Sequence, residues 1–89
     1  MAVLTGGQLR AARALLRWEQ KRLAEESGVS LETVKRLEAM PGAVSAMAGT
    51  VDAVRKAFEA HGVKFIPEGP YHGDGGPGVR LDKGGPLFG

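Results

Sequence analysis

The chain contains no cysteine, one tryptophan and one tyrosine, and aromatic residues make up only 6% of its 89 residues. Without thiols there is neither a disulfide to staple the fold nor a thiolate to hold a metal, so its stability has to come from packing alone. Packing is limited too. A chain of this length buries only about 60 to 65% of its unfolded surface, enough for one small core, and a second copy would add to its stability. No apolar run approaches the 18 or so residues needed to cross a membrane. The opening Met1-Ala2-Val3-Leu4 passes at once into Thr5-Gly6-Gly7 and then arginines, which is not a signal-peptide pattern, so a cytoplasmic protein is expected. An excess of one charge is missing as well: twelve Lys and Arg stand against ten Asp and Glu, a net charge of +2. That sign is compatible with a nucleic-acid partner, but its size does not demand one. No nucleophile and base stand at an informative spacing, so no enzyme and no cofactor are expected.

What is present centres on the stretch from Gln20 to Glu38. Leu23 and Ala24 form an apolar couplet that a helix from Glu19 to about Glu26 turns inward, and Val34 and Leu37 repeat at i, i+3 on a second helix over Leu31 to Ala39. Between them, Gly28 can take the positive φ that ends a helix, and Ser30 is a good N-cap for the next. Ala24 is small enough for two helices to cross closely. The pattern is that of a helix-turn-helix unit, whose second helix can lie in the major groove of DNA.

Gln20-x-x-Leu23-Ala24, Gly28-Val29-Ser30 and Thr33-Val34-x-Arg36-Leu37-Glu38 resemble the core of the phage-repressor-like (Cro/C1, or XRE) regulators. The resemblance covers roughly Thr5 to Gly62. The run Leu9-Arg10-x-x-Arg13-x-Leu15-Leu16 and the ending Gly75-Gly76-Pro77-Gly78-Val79-Arg80-Leu81 are similar to small bacterial proteins of this class. Ser27 departs from it, standing where the family usually has an apolar residue. The resemblance implies a mainly α, lambda-repressor-like domain of four to five helices, expected here with a C-terminal β-hairpin. It also implies a sequence-specific regulator that binds double-stranded DNA at a palindromic operator as a homodimer. Within that picture Leu31, Glu32 and Arg36 are the base-reading positions, and Arg13 pairs with Glu38 as a structural ion pair between the first helix and the third.

Around this centre, Thr5-x-x-Gln8 fits a capping box that opens a helix from Gly6 to about Arg17, with Leu9, Ala12 and Leu16 as its apolar stripe. Trp18 is read as core at the corner that follows. Gln20 sits in the first turn of the next helix, where a side chain and free backbone amides can meet a phosphate together. Lys21 and Arg22 can add phosphate charge, but they also make ordinary i, i+4 pairs with Glu25 and Glu26. On the third helix Leu31, Glu32, Lys35 and Arg36 face outward, with Thr33 near the edge. Arg36 can reach guanine O6 and N7, Glu32 can accept from cytosine N4, and Leu31 offers a surface to a thymine methyl. Against this, Glu32 and Arg36 form an i, i+4 pair in the favourable order, and Glu32 suits a helix start electrostatically.

After Glu38 the residues from Ala39 to Gly49 carry no charge, and a linker with one helical turn near Val44 to Met47 is expected. Thr50 is placed as the N-cap of a fourth helix, Val51 to His61, with Val51, Val54, Ala57 and Phe58 inward and Gly62 past its end. From Val63 the period becomes two. Strands 63–66 and 78–81 flank a Gly- and Pro-rich loop, and such a hairpin must lie on the helices or pair with another subunit. Phe65, Ile66, Val79 and Leu81 are therefore the expected dimer interface, with residues 1–62 as the helical domain, 63–81 as the hairpin and 82–89 as a flexible tail. Two patterns are set aside. Gly73-Asp74-Gly75-Gly76-Pro77-Gly78 has glycine-fingerprint spacing but precedes a strand, and His61, His72 and Asp74 lack metal-ligand spacing. A different class remains open: a protein-binding module, antitoxin-like or an adaptor, using Leu31 and the Met40 to Met47 loop as an apolar contact.

Overall fold

The computed structural model describes residues 4–66 and 78–82. Four helices, α1 (Gly6–Leu16), α2 (Gln20–Ser27), α3 (Leu31–Ala39) and α4 (Ala48–Glu59), precede an antiparallel hairpin of β1 (Val63–Ile66) and β2 (Gly78–Leu81). The fold is therefore mainly helical with a two-stranded sheet at its end. Leu4, Leu9, Ala12, Trp18, Leu23, Val34, Leu37, Val54, Ala57, Phe58 and Val63 form one buried cluster, so every helix and β1 contribute to a single core.

Local chemistry explains most boundaries. Thr5 and Gln8 form the complete capping box of α1. The helix stops at Leu16 because Arg17 takes a left-handed conformation at φ 57°, one residue earlier than the periodicity suggests. Gly28, at φ 76°, ends α2 in the same way without a Cβ to strain. Ser30 then caps α3 by accepting from the Thr33 amide. Ser27, apolar in the family pattern, works as an internal brace of the turn: its hydroxyl donates to the Leu23 carbonyl at 2.7 Å and accepts from the Val29 amide at 3.2 Å.

The linker after α3 corrects two expectations. Val44 to Met47 form no helical turn. The Val44 amide donates to the Leu4 carbonyl at 2.8 Å, and Thr5 pairs with Ala43 as an isolated bridge, so strand-like bonds to the segment ahead of α1 hold this part extended. Thr50 is not the cap of α4. The helix begins at Ala48 with Met47 as N-cap, whose carbonyl accepts from the Thr50 and Val51 amides at 2.9 and 3.2 Å. Val54, Ala57 and Phe58 point inward as expected, while Val51 is half-buried.

The hairpin is not a free appendage. β2 lies along α1 and β1 packs against α4. Val63 is 1% exposed, and Phe65 meets Phe58 edge to face at 5.8 Å between ring centres. Gln8 supplies a polar bolt. Its buried side-chain amide donates to the carbonyls of Ile66 at 3.2 Å and Gly78 at 2.9 Å, closing the far end of the hairpin onto the first turn of α1. At the other end the Asp82 amide donates to the Gly62 carbonyl at 2.7 Å, and Asp82 pairs with Lys64 and Arg80, so the hairpin's bonding takes in the first residue of the expected tail. The loop 67–77 and the remaining tail 83–89 lie outside the described residues.

Candidate nucleic-acid interface

The site expected from the sequence is the outward face of α3, and its geometry begins with how α3 is held. α2 packs against α3, and α1 crosses it at the C-terminal end. At that crossing the backbones nearly touch. An added Cβ on Gly6 would lie 2.8 to 2.9 Å from the carbonyl oxygens of Glu38, Leu37 and Met40, so only glycine lets the start of α1 approach the end of α3 this closely.

Polar groups fix the same end. Arg13 Nε and Nη2 grip the Glu38 carboxylate at 2.7 and 2.8 Å, and Arg13 Nη1 donates to the Trp18 carbonyl at 3.0 Å. Glu38 is only 3% exposed, which makes this a buried, two-pronged ion pair with good geometry. Arg10 Nη1 donates to the backbone carbonyl of Glu38, satisfying one of the carbonyls that a helix end leaves open. The anticipated pair between Arg13 and Glu38 is thus in place, and two further donors, Arg10 and Gln20, converge on the same residue. Nothing in the local sequence signals either of them.

Val34 and Leu37 are buried, at 1% and 0% exposed, which leaves the opposite face of α3 to solvent. Glu32, Lys35 and Arg36 are exposed there, while Leu31 and Thr33 are half-buried. The Thr33 hydroxyl is engaged by Ser30 at 2.9 Å. None of Glu32, Lys35 or Arg36 joins an ion pair among the described residues, although Glu32 and Arg36 have the spacing for one. On α4 the opposite holds: Asp52, Arg55, Lys56 and Glu59 all pair along the helix.

The α2 candidates divide. Lys21 is exposed and outside every ion pair among the described residues. Gln20 is half-buried, and its Nε2 donates to Glu38 Oε1 at 3.1 Å. Arg22 pairs with Glu26 at 2.9 Å and lies 5.1 Å above the Trp18 ring. Trp18 fills the corner after α1 as expected, stacked on Phe58 at 5.6 Å and meeting the His61 edge at 4.8 Å. His61 Nε2 stands 3.3 Å from Glu26 Oε1. The Arg22 guanidinium, bonded to the Glu26 carboxylate, holds its pKa below the ordinary value of 4.5; His61 adds in the same direction, against a smaller effect of burial. His72 and Asp74 lie outside the described residues.

The four hairpin side chains do not share a face. Strand alternation and the Phe65–Val79 and Val63–Leu81 registers put Phe65, Val79 and Leu81 on the side of buried Val63, and Ile66 on the other side with Lys64 and Arg80. Phe65 and Val79 pack on the core, whereas Leu81 is 38% exposed. Among the described residues the largest apolar exposure is Met47, 81% accessible at the head of α4. No helix of the described residues is long and apolar enough to cross a membrane. The chain matches no family model and no curated protein.

Proposed function

We propose that this protein is a sequence-specific, double-stranded DNA-binding transcriptional regulator of the lambda-repressor-like helix-turn-helix type, with α3 as the helix that enters the major groove. One observation carries the reading. The exposed charged residues of α3 are held out of ion pairs on a helix whose far end is anchored by Gly6, Arg10, Arg13 and Gln20, while those of α4 neutralise one another. Arg36 is the candidate for guanine, Glu32 for cytosine and Leu31 for a thymine methyl, with Lys21 and Lys35 supplying phosphate charge. Between positions 17 and 36 five cations face four acids, so one copy gains little from phosphate neutralisation. Two copies on a palindromic site, with half-sites about 34 Å apart, supply the missing affinity. In such a homodimer Leu81 and Ile66 are the hairpin side chains with surface left for the partner.

Selection of bound duplexes from a randomised pool tests the proposal, followed by titration of the best duplex at several salt concentrations. The expected result is one enriched palindromic sequence, with Arg36→Ala weakening its binding by about 1 to 3 kcal/mol and relaxing preference at one base pair. No enrichment, or an unchanged preference in Arg36→Ala, overturns it. A second reading draws on the exposure of Met47 in an uncharged linker: a protein-binding module of the same fold. Its association would be nearly insensitive to salt, whereas phosphate binding weakens steeply as counterions compete.

A further inference from the structure

The Glu38 carboxylate accepts three side-chain hydrogen bonds, and only two of them come from Arg13. The third, from Gln20 Nε2, has a different consequence because of where Gln20 sits. It is the first residue of α2, and Glu38 is the second-last residue of α3. The two helices are already joined at the Ser27 to Ser30 turn. The bond from Gln20 to Glu38 joins their other ends and turns a hinged pair into a closed brace. Its place in the first turn of α2 suits a phosphate ligand, yet the Gln20 amide nitrogen is engaged with a buried carboxylate. Surrendering that bond to a phosphate would leave Glu38 Oε1 with one donor fewer where water hardly reaches. It would also bring the phosphate's negative charge towards that of Glu38.

We propose that Gln20 is a positioning residue, acting through Glu38 to set the angle at which α3 presents Glu32 and Arg36. The functional half of this assignment rests on the DNA-binding reading above; the structural half does not. The second amide hydrogen of Gln20 is the group left for a phosphate, and the experiment separates the two roles.

Gln20→Met keeps the length of the side chain and removes the donor. In the free protein, hydrogen exchange at the last amides of α3, from Arg36 to Met40, is expected to quicken about tenfold, the loss of one bond to a charged group. Gln20→Lys restores a donor within reach of Glu38 and is expected to slow that exchange again. On the duplex recovered by selection, Gln20→Met is expected to relax preference at the Arg36 base pair. A loss of affinity that is equal on all duplexes, with preference at that base pair intact, identifies a phosphate ligand and overturns the proposal. If the wild-type protein enriches no duplex, the DNA reading fails by itself and the free-protein measurement still decides. Exchange unchanged at the end of α3 in a folded Gln20→Met overturns the brace.

Discussion

Adjacent glycines at the start of α1 are expected to respond to alanine in opposite directions. At Gly6 the new methyl would lie 2.8 to 2.9 Å from three backbone carbonyl oxygens, two in the last turn of α3 and one on its C-cap Met40, distances that real Cβ atoms do not adopt. No side-chain rotation can relieve this, because the obstruction is main chain, so α1 and α3 must move apart. Overpacking of this kind costs about 1 to 3 kcal/mol. Against it stands a gain of about 0.4 to 1 kcal/mol from a less flexible unfolded chain. From the middle of each range the net loss is about 1.3 kcal/mol, which for a domain of this size lowers Tm by about 5 to 10 °C. At Gly7 the nearest atoms, Arg10 Nη2 and Thr5 Oγ1, stand at 3.7 and 3.8 Å, an ordinary contact. Gly7→Ala therefore keeps only the gain, and its Tm should rise by about 2 to 8 °C. Thermal melts of the two variants and wild type, followed by circular dichroism at 222 nm and run at two protein concentrations, provide the assay. A Gly6→Ala protein that melts at or above wild type would refute the close crossing of α1 and α3, and with it the account of how α3 is anchored.

Three further outcomes follow from named contacts. Arg13→Ala leaves the Glu38 carboxylate with Gln20 as its remaining side-chain donor; since Arg13 is 21% exposed and Glu38 3%, the loss should fall just below the range for a fully buried pair, at about 2 to 3 kcal/mol by urea denaturation. A wild-type urea midpoint would show that the pair contributes nothing, and lost DNA binding at unchanged stability would make Arg13 a binding residue instead. Arg17→Gly should raise stability by a few tenths to about 1 kcal/mol, because glycine adopts φ 57° without the strain that a Cβ imposes; a lower midpoint would mean that the arginine side chain matters more than the backbone. The lowered pKa of Glu26 makes its contribution to stability fully present above the unfolded value near 4.5 and lost as pH falls through the folded value. The difference in urea midpoint between wild type and Glu26→Gln should therefore shrink from pH 7 to pH 3, and a constant difference would contradict the contact with Arg22.

Local signals in the chain were enough to determine most of the elements, though not the start of α4. The span of α3 and both strands stand where capping and periodicity put them, because Ser30, Gly28 and the alternation around Phe65 act within a few residues of themselves. The pairing of Arg13 with Glu38 was legible only through a family resemblance, since nothing within a turn of either residue points to the other. The tertiary structure decided the rest. It sent the linker extended along Leu4 and Thr5, which moved the start of α4 ahead of Thr50, and no local preference encodes a strand-like partner nearly forty residues away. It gave Gln8 a second task at the hairpin and drew Gln20 towards Glu38, because an amide's partners are set by whichever carbonyls and carboxylates packing brings within about 3 Å. It also laid Phe65 and Val79 onto the helices of their own chain, since a two-stranded sheet is marginal in water until its apolar face is covered.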